Sequence, residues 1–484
     1  MQTPIDIKQV SPYDTGCTTH QSPLVQINVR QTEEWCPSQF NARTTDDEGN
    51  IILWNSKSGA FSVFNGKQKK LLEPYLTQQG YAGKLDKMGE YLQKKGYIIS
   101  KNTNEYRQFQ ALFGEQHYRN DTMELILLST EDCNFRCKYC YEEFLRGTML
   151  PEVRDNVKQL VKNRAETLRS LNIHWFGGEP LYGFAAIEDL APFFAEMAEK
   201  HHWNYSATIT TNAYLLTLET AAKLLSWKIR NYQITVDGVE EQHNLNRPAR
   251  DGSGTFNTIF SNLQELAKFP DPFVVRLRVN FDNDTHPYLT KFLDRLQQTF
   301  GTDPRFRLAF HPVGKWGGEN DDNLDVCGTR ESFSVMQDLH EQSNERGLAN
   351  STFLDGNVFG GQVCYAARPY NFIIGAHGAV MKCTVALDQT DYNIVGHLRD
   401  GGQLVLDPEK WAKWVEPGYA GDKGCQKCYL LPSCQGMSCP WLRFEQNASP
   451  CAATVKPNIH HHLITAFQAG RSKAKQVTLS SQKP

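Results

Sequence analysis

The run Cys133-Asn-Phe-Arg-Cys137-Lys-Tyr-Cys140 sets three thiols in a C-x3-C-x2-C spacing. The chain holds 13 cysteines, and most of them are grouped. This knot is one group. Cys364, Cys383, Cys425, Cys428, Cys434, Cys439 and Cys451 form a second toward the C-terminus, and Cys17, Cys36 and Cys327 stand apart. In a reducing compartment such thiols are ligands or catalysts rather than disulfides. A structural zinc site closes on four ligands, and a four-iron cluster ordinarily takes four cysteines. Three thiols on a short loop therefore leave one iron open to a chelating substrate or cofactor. The competing reading is zinc completed by a distant histidine.

The elements that must hold this knot follow from length and pattern. A chain of 484 residues exceeds one small core and should divide into two or three domains. Its 40% hydrophobic and 22% charged content describes an ordinary globular protein, and a net charge of −3 argues against a broad cationic face for nucleic acid. No apolar run reaches the roughly 18 residues of a membrane span. The N-terminal MQTPIDIKQVSPYDTG has neither the basic start nor the apolar core of a secretory signal. A cytoplasmic protein is expected, with no nucleic-acid or membrane partner.

Buried strands read at Leu125–Leu128, Ile173–Phe176, Thr208–Thr210, Tyr232–Val236, Phe273–Val279 and Phe306–Phe310. Amphipathic helices follow them at Pro151–Leu168, Ala185–Lys200, Thr217–Ser226, Phe256–Lys268, Tyr288–Phe300 and Arg330–Arg346. Six strand–helix pairs imply parallel pairing, with chemistry at the carboxyl ends of the strands. The fold class is α/β, a partial (β/α)6 TIM-like barrel. Ahead of it, Asn50–Trp54 and Ala60–Phe64 read as a hairpin turning through Asn55–Gly59, followed by short helices, one of which ends or kinks at Pro74 and another of which carries Leu85, Met88 and Leu92 before Gly96. That outline is winged-helix-like. Beyond Gly361 the alternation fails, and order there is expected from metal rather than from a core. The division expected is a flexible stretch 1–23, a recognition domain 24–110, the barrel 120–350, a cysteine-rich domain 351–470 and a disordered tail 471–484.

Cys133, Cys137 and Cys140, with Tyr139 before the last, resemble the signature of radical S-adenosylmethionine (SAM) enzymes. The resemblance implies that SAM's amino and carboxylate groups bind the open iron, and that reductive cleavage yields a 5′-deoxyadenosyl radical which takes a hydrogen atom from substrate. Tyr139 would pack near the adenine. Gly177-Gly178-Glu179-Pro180, after the second strand, is similar to the family segment that holds the methionine ammonium. Asn212 matches the ribose-contacting region, with Ala213 where glycine is common. Thr235, ahead of Asp237-Gly238, and Arg247 would contact SAM hydroxyl or carboxylate groups, and a structural turn at Asp237-Gly238 is an equal alternative.

The later cysteines are similar to the SPASM extension of that family, which carries two auxiliary four-iron clusters. The resemblance assigns Cys425, Cys428, Cys434 and Cys451 to an outer cluster and Cys364, Cys383 and Cys439 to an inner one. Gln435-Gly-Met-Ser438 is one residue longer than the family spacing. Cys327 is a candidate fourth ligand or hydrogen-donating catalytic thiol, or else a plain cysteine. His460-His461-His462 reads as a helix end, Trp54, Trp175 and Trp203 as packing residues, and Cys17 and Cys36 as free thiols in a mobile segment.

Two auxiliary clusters suit a net oxidation. The N-terminal run Leu53–Ala60 resembles the precursor-recognition element of ribosomal peptide maturases, which takes a leader peptide as an added strand. The expectation is a radical SAM/SPASM maturase that cross-links a precursor peptide through a carbon–carbon or thioether bond, with an electron donor such as flavodoxin or ferredoxin. The alternatives are sulfatase-type oxidation of Cys or Ser to formylglycine, and a non-catalytic iron–sulfur or zinc protein that binds peptide.

Overall fold

The computed structural model describes Ile5–Asp6 and residues 34–480, except 302, 351–355, 357–358, 388, 446, 449–450 and 452–455. Cys17, and the expected flexible stretch apart from Ile5–Asp6, lie outside the described residues. The chain divides into two compact units. One draws on residues 1–119, 352–369 and 413–484, the other on 120–351 and 370–412. Among the described residues no helix is long and apolar enough to cross a membrane.

The first unit begins with strands β1 (Ile5–Asp6), β2 (Glu34–Pro37), β3 (Asn41–Thr45), β4 (Ile51–Asn55), β5 (Phe61–Phe64), β6 (Tyr81–Ala82) and β7 (Ile98–Ser100). They form one sheet of order β1-β5-β4-β3 and a second of order β6-β2-β7. The expected hairpin is β4–β5, antiparallel, and its turn is set by Asn55, whose Oδ1 accepts the N–H groups of Lys57 and Ser58 at 3.0 and 2.9 Å. Every residue of β4 is buried. Ile51 and Leu53 pack with Leu72, Leu92 and Tyr97, whereas Ile52 and Trp54 pack with Leu430, Leu463 and Phe467. A strand covered on both faces has no polar side, which is why its sequence shows no alternation.

Helix α1 (Gly66–Leu72) opens on an Asn65–Gln68 capping box and gives way to a 3-10 turn containing Pro74. Helices α2 (Lys87–Lys94) and α3 (Glu105–His117) follow. Cys36 corrects its expectation: it lies in β2, paired with Ile99 of β7, not in a mobile segment. Its neighbour Trp35 packs into the same apolar cluster as Tyr97 and Ile98. The helix Ile459–Ser480 starts just before His460 and continues to Ser480, into a stretch expected to lack structure.

The second unit carries the strand–helix alternation: β8 (Thr122–Thr130), α4 (Pro151–Asn163), β9 (Ser170–Gly177), α5 (Phe184–His201), β10 (Asn204–Thr211), α6 (Leu218–Ser226), β11 (Ile229–Thr235), α7 (Glu240–Asn246), α8 (Phe256–Ala267), β12 (Val274–Phe281), α9 (Leu289–Phe300), β13 (Phe306–Pro312) and α10 (Thr329–Glu345). Strands β8 to β13 pair in parallel in sequence order. In β9, buried Leu171, Ile173 and Trp175 alternate with half-buried Asn172, His174 and Phe176, and Trp175 meets Phe194 of α5. One face is thus roofed by helices, and the other lines the concave side.

After β14 (Ala349–Asn350) the structure departs from the expectation. Strand β15 (Asn371–Ile374) pairs in parallel with β8, and β16 (Ala379–Met381), β17 (Ile394–Arg399) and β18 (Gln403–Leu406) continue the same sheet antiparallel. The result is an open sheet of 11 strands. Order beyond Gly361 therefore does not come from metal alone. Phe372, Ile373, Ile374 and Val380 are buried, in strands too short to show a period.

Candidate functional site

The knot lies on the loop that leaves β8. The adjoining chain Asn246–Arg250 stitches it in place: Lys138 N–H donates to Asn246 O at 2.9 Å, Arg136 N–H to Pro248 O at 3.0 Å, and Phe135 bridges Ala249. Arg250 pairs with Asp132 and donates to Cys133 O. Cys133 is buried, and its Sγ accepts the Phe135 N–H at 3.4 Å. Burial pushes the Cys140 thiol up to about 12 and raises Cys133 and Cys137 as well. Thiols held so ionise when a metal replaces the proton.

The Gly177–Pro180 segment packs directly on this loop. A Cβ at Gly177, whose φ is +117°, would stand 2.0 Å from Thr130 O, and one at Gly178 would stand 2.4 Å from Asp132 O. The paired glycines thus let the segment approach the chain's own knot. Pro180 opens a 3-10 turn, and its carbonyl accepts from Ser129 Oγ. Glu179 is 1% exposed. Its carboxylate accepts from Leu181 N–H at 2.9 Å, Thr211 Oγ1 at 2.6 Å and Asn212 N–H at 2.6 Å. Burial still raises its pKa, against these three hydrogen bonds and the charge of Arg247. Asn212 also donates to Asn134 Oδ1 at 2.7 Å. Ala213 sits at φ +60°, a left-handed backbone that glycine adopts without strain.

Tyr139 anchors the other side. Its hydroxyl donates to Asp237 and accepts from Arg247 Nη1 at 2.8 Å and Asn280 Nδ2 at 3.0 Å. Asp237 is fully buried and takes the Asn280 N–H at 3.0 Å, and its own N–H donates to His243 Nδ1 at 3.1 Å. His243 must then carry its proton on Nε2, facing Thr255 Oγ1, which in turn donates to Arg247 O. Among the described residues Arg247 Nε is buried without a hydrogen-bond partner. A buried acid, a buried guanidinium N–H without a partner among the described residues and three thiols fit SAM on a four-iron cluster. Among the described residues no three Cys, His, Asp or Glu side chains converge as a single ion requires; a cluster spreads its ligands over different irons.

Residues 127–296 match the model described as the radical SAM superfamily. The chain therefore carries a radical SAM domain. A relative, the radical SAM cyclopropyl synthase TigE of Paramaledivibacter caminithermalis, is 22% identical over 71% of this chain and 74% of its own. The cysteine-type anaerobic sulfatase-maturating enzyme of Clostridium perfringens (strain 13 / Type A) is 29% identical over 64% of this chain and 87% of its own. A solved structure of native anSMEcpe with bound AdoMet and Cp18Cys peptide shares the fold at a TM-score of 0.55 and 17% identity, covering 74% of this chain and 99% of that one.

Within this radical SAM enzyme the predicted residues divide by place. Tyr139 touches Arg247, and Glu179 touches Asn212, around the knot. Thr235 ends β11 without joining either network by a described side-chain hydrogen bond. Cys327 donates to Asn283 Oδ1 at 3.1 Å, just past β12, and burial raises its pKa to about 11. Sequence reasoning missed Asp132, Asn134, His243, Arg250 and Asn280, which are single polar residues without a spacing signal. Asp237 was named only as a turn alternative, and it is an anchor of the site.

The first unit holds a second arrangement. A cavity of about 140 Å³ is lined by Cys425, Cys428, Cys434 and Cys451, together with Asp422, Arg443 and Lys456. Burial pushes Cys434 up to about 11 and Cys425 up to about 12, the latter against the pull of Arg443. Past Cys434, Gln435 and Gly436 take left-handed backbones at φ +53° and +64°. Cys364 N–H donates to Met437 O at 3.0 Å, which brings it beside the Cys439 segment. Cys383 follows β16 in the other unit, and its N–H donates to Asn393 Oδ1.

Proposed function

We propose that this radical SAM enzyme is a maturase of a ribosomal precursor peptide, oxidatively forming a carbon–carbon or thioether cross-link. The four-thiol cavity carries the reading, because a closed four-cysteine site away from the knot suits an auxiliary four-iron cluster, and an oxidation needs an electron acceptor. Cys364, Cys383 and Cys439 would hold an inner cluster by their sequence pattern, with Cys327 a candidate fourth ligand or hydrogen donor. These auxiliary regions constitute the proposed SPASM domain.

Cys133, Cys137 and Cys140 would hold the SAM-binding cluster. Bound SAM supplies the radical that removes a hydrogen atom from substrate. Glu179 would meet the methionine ammonium, Arg247 would present its spare N–H to carboxylate or hydroxyl, and Asn212 would contact the ribose. Tyr139, locked through its hydroxyl, keeps its ring at a fixed place for the adenine. The new bond forms at the carbon that lost the hydrogen atom. Its bonding partner loses a proton, and the surplus electron is the one an auxiliary cluster would accept. A small electron donor such as flavodoxin or ferredoxin would serve the reductive step.

The peptide reading is supported by the winged-helix-like hairpin sheet. The outer edge of β5 accepts an antiparallel strand, since Ile5 and Asp6 pair there with Val63 and Ser62. A leader peptide would add to such an edge. The relative named as a sulfatase-maturating enzyme favours a second reading, oxidation of Cys or Ser to formylglycine. A sulfatase gene rather than a short peptide gene beside the coding sequence would select it.

Iron and acid-labile sulfide per chain after anaerobic reconstitution test the proposal. Three four-iron clusters give about 12 of each. About 4 of each would remove the electron acceptor and with it the oxidative reading. Zinc with little iron would overturn the radical mechanism. With its precursor peptide, the reduced enzyme should release 5′-deoxyadenosine and leave a product lighter by two hydrogens.

A further inference from the structure

We infer that Arg443 sets the reduction potential of the cluster held by Cys425, Cys428, Cys434 and Cys451, an inference that rests on that cavity holding a four-iron cluster. Arg443 belongs to the short helix Pro440–Glu445 and lines the cavity with the four thiols. Its Nη2 donates to Gly436 O at 3.0 Å, which fixes the guanidinium. Its Nε is buried and has no hydrogen-bond partner among the described residues. A buried N–H without an acceptor is costly, and the side chain that carries it lines a space suited to a sulfur-rich, negatively charged group.

The surroundings hold the guanidinium there. A Cβ on Gly418 would stand 2.6 Å from Arg443 Nε and 2.1 Å from Gly436 O, so any side chain at 418 would drive the arginine away. The other charges on the cavity are weaker claimants. The Asp422 carboxylate is engaged by the N–H groups of Gly424 and Cys425 at 2.8 and 3.1 Å. Lys456 is exposed, and its charge is screened by solvent.

Reduction adds one negative charge to a cluster that is already anionic. A fixed cation and an N–H donor beside the sulfurs stabilise the reduced form more than the oxidised form, and so raise the potential. A raised potential favours taking an electron from a substrate radical. Arg443 is on this account a tuning residue rather than a ligand.

The test uses the full chain with Cys133, Cys137, Cys140, Cys364 and Cys439 replaced by alanine, leaving the outer cluster alone. Its midpoint potential is read by redox titration followed by electron paramagnetic resonance. Arg443→Met should retain about 4 irons and become about tenfold harder to reduce, a fall of about 59 mV for one electron. Arg443→Lys, which keeps the charge without the fork, should fall between the two. An unchanged potential in R443M at full iron content overturns the inference. Should R443M fail to hold iron, Gly418→Ala decides, because it displaces Nε while leaving the charge in the chain: a lowered potential supports the role and an unchanged one overturns it. A parent chain that forms no four-iron cluster overturns the cluster reading itself, which separates that failure from a failure of Arg443.

Discussion

Tyr139 donates its hydroxyl hydrogen bond to the buried carboxylate of Asp237, which ties the cysteine knot after β8 to the turn after β11. The same oxygen accepts from Arg247 and Asn280. One phenolic hydroxyl therefore joins the knot loop to the carboxyl ends of two other strands, across the space where the barrel reading puts its chemistry.

Tyr139→Phe removes that junction while preserving the ring. Hydrogen bonds to charged groups contribute about 1.5–3 kcal/mol, so the anaerobic melting temperature should fall while iron per chain is unchanged. SAM affinity, measured by equilibrium dialysis, should weaken with it. Equal stability and equal affinity would show that the hydroxyl is dispensable.

Gly178→Ala should act on the knot from the side. The new Cβ would stand 2.4 Å from Asp132 O and 3.0 Å from Cys133 Cβ, so the loop bearing Cys133 has to move. The variant is expected to lose about 4 irons per chain together with SAM cleavage, and to keep the remainder. Retention of all its iron would mean that the loop yields without cost.

Ala213→Gly should stabilise the protein. A non-glycine residue in the left-handed region costs about 1–2 kcal/mol, and glycine returns about 0.4–1 kcal/mol through the freedom of the unfolded chain. The net gain, between about 0 and about 1.6 kcal/mol, should appear as a higher melting temperature with SAM cleavage unchanged. A lower melting temperature would count against strain at this position.

Acid should weaken the fold through His174. Burial lowers its pKa to about 4, and its Nε2 lies 2.8 Å from Thr210 Oγ1. Between an unfolded value of about 6.5 and the folded value the unfolded chain binds the proton and the folded one does not. The neutral ring's contribution is therefore full above pH ~6.5 and is lost as pH falls toward ~4, amounting to about 1 kcal/mol at pH ~5.5. His174→Gln should narrow the difference in melting temperature between pH ~7.5 and pH ~5.5. An unchanged difference would place the acid sensitivity elsewhere.

The sequence by itself determined what depends on near neighbours. Three thiols at C-x3-C-x2-C, the Gly-Gly-Glu-Pro run and six strand–helix pairs all declare themselves through spacing and period, and these elements stand where the pattern put them. The capping box at Asn65 and the break at Pro74 are local in the same way. Tertiary structure decided the rest. Asp237, His243 and Asn280 are lone polar residues whose partners lie far along the chain, and only folding brings them to Tyr139 and Arg247. Strands β15 to β18 are short, and pairing with β8 rather than periodicity defines them. The apolar run of β4 marked it as a strand, but only packing shows that both its faces are covered, and Arg443 becomes notable only because Gly418 and four distant thiols surround it. Local pattern fixes which elements form, because it acts within a turn or a strand. Which side chains share a site is set by long-range packing, whose partners leave no periodic trace in the chain.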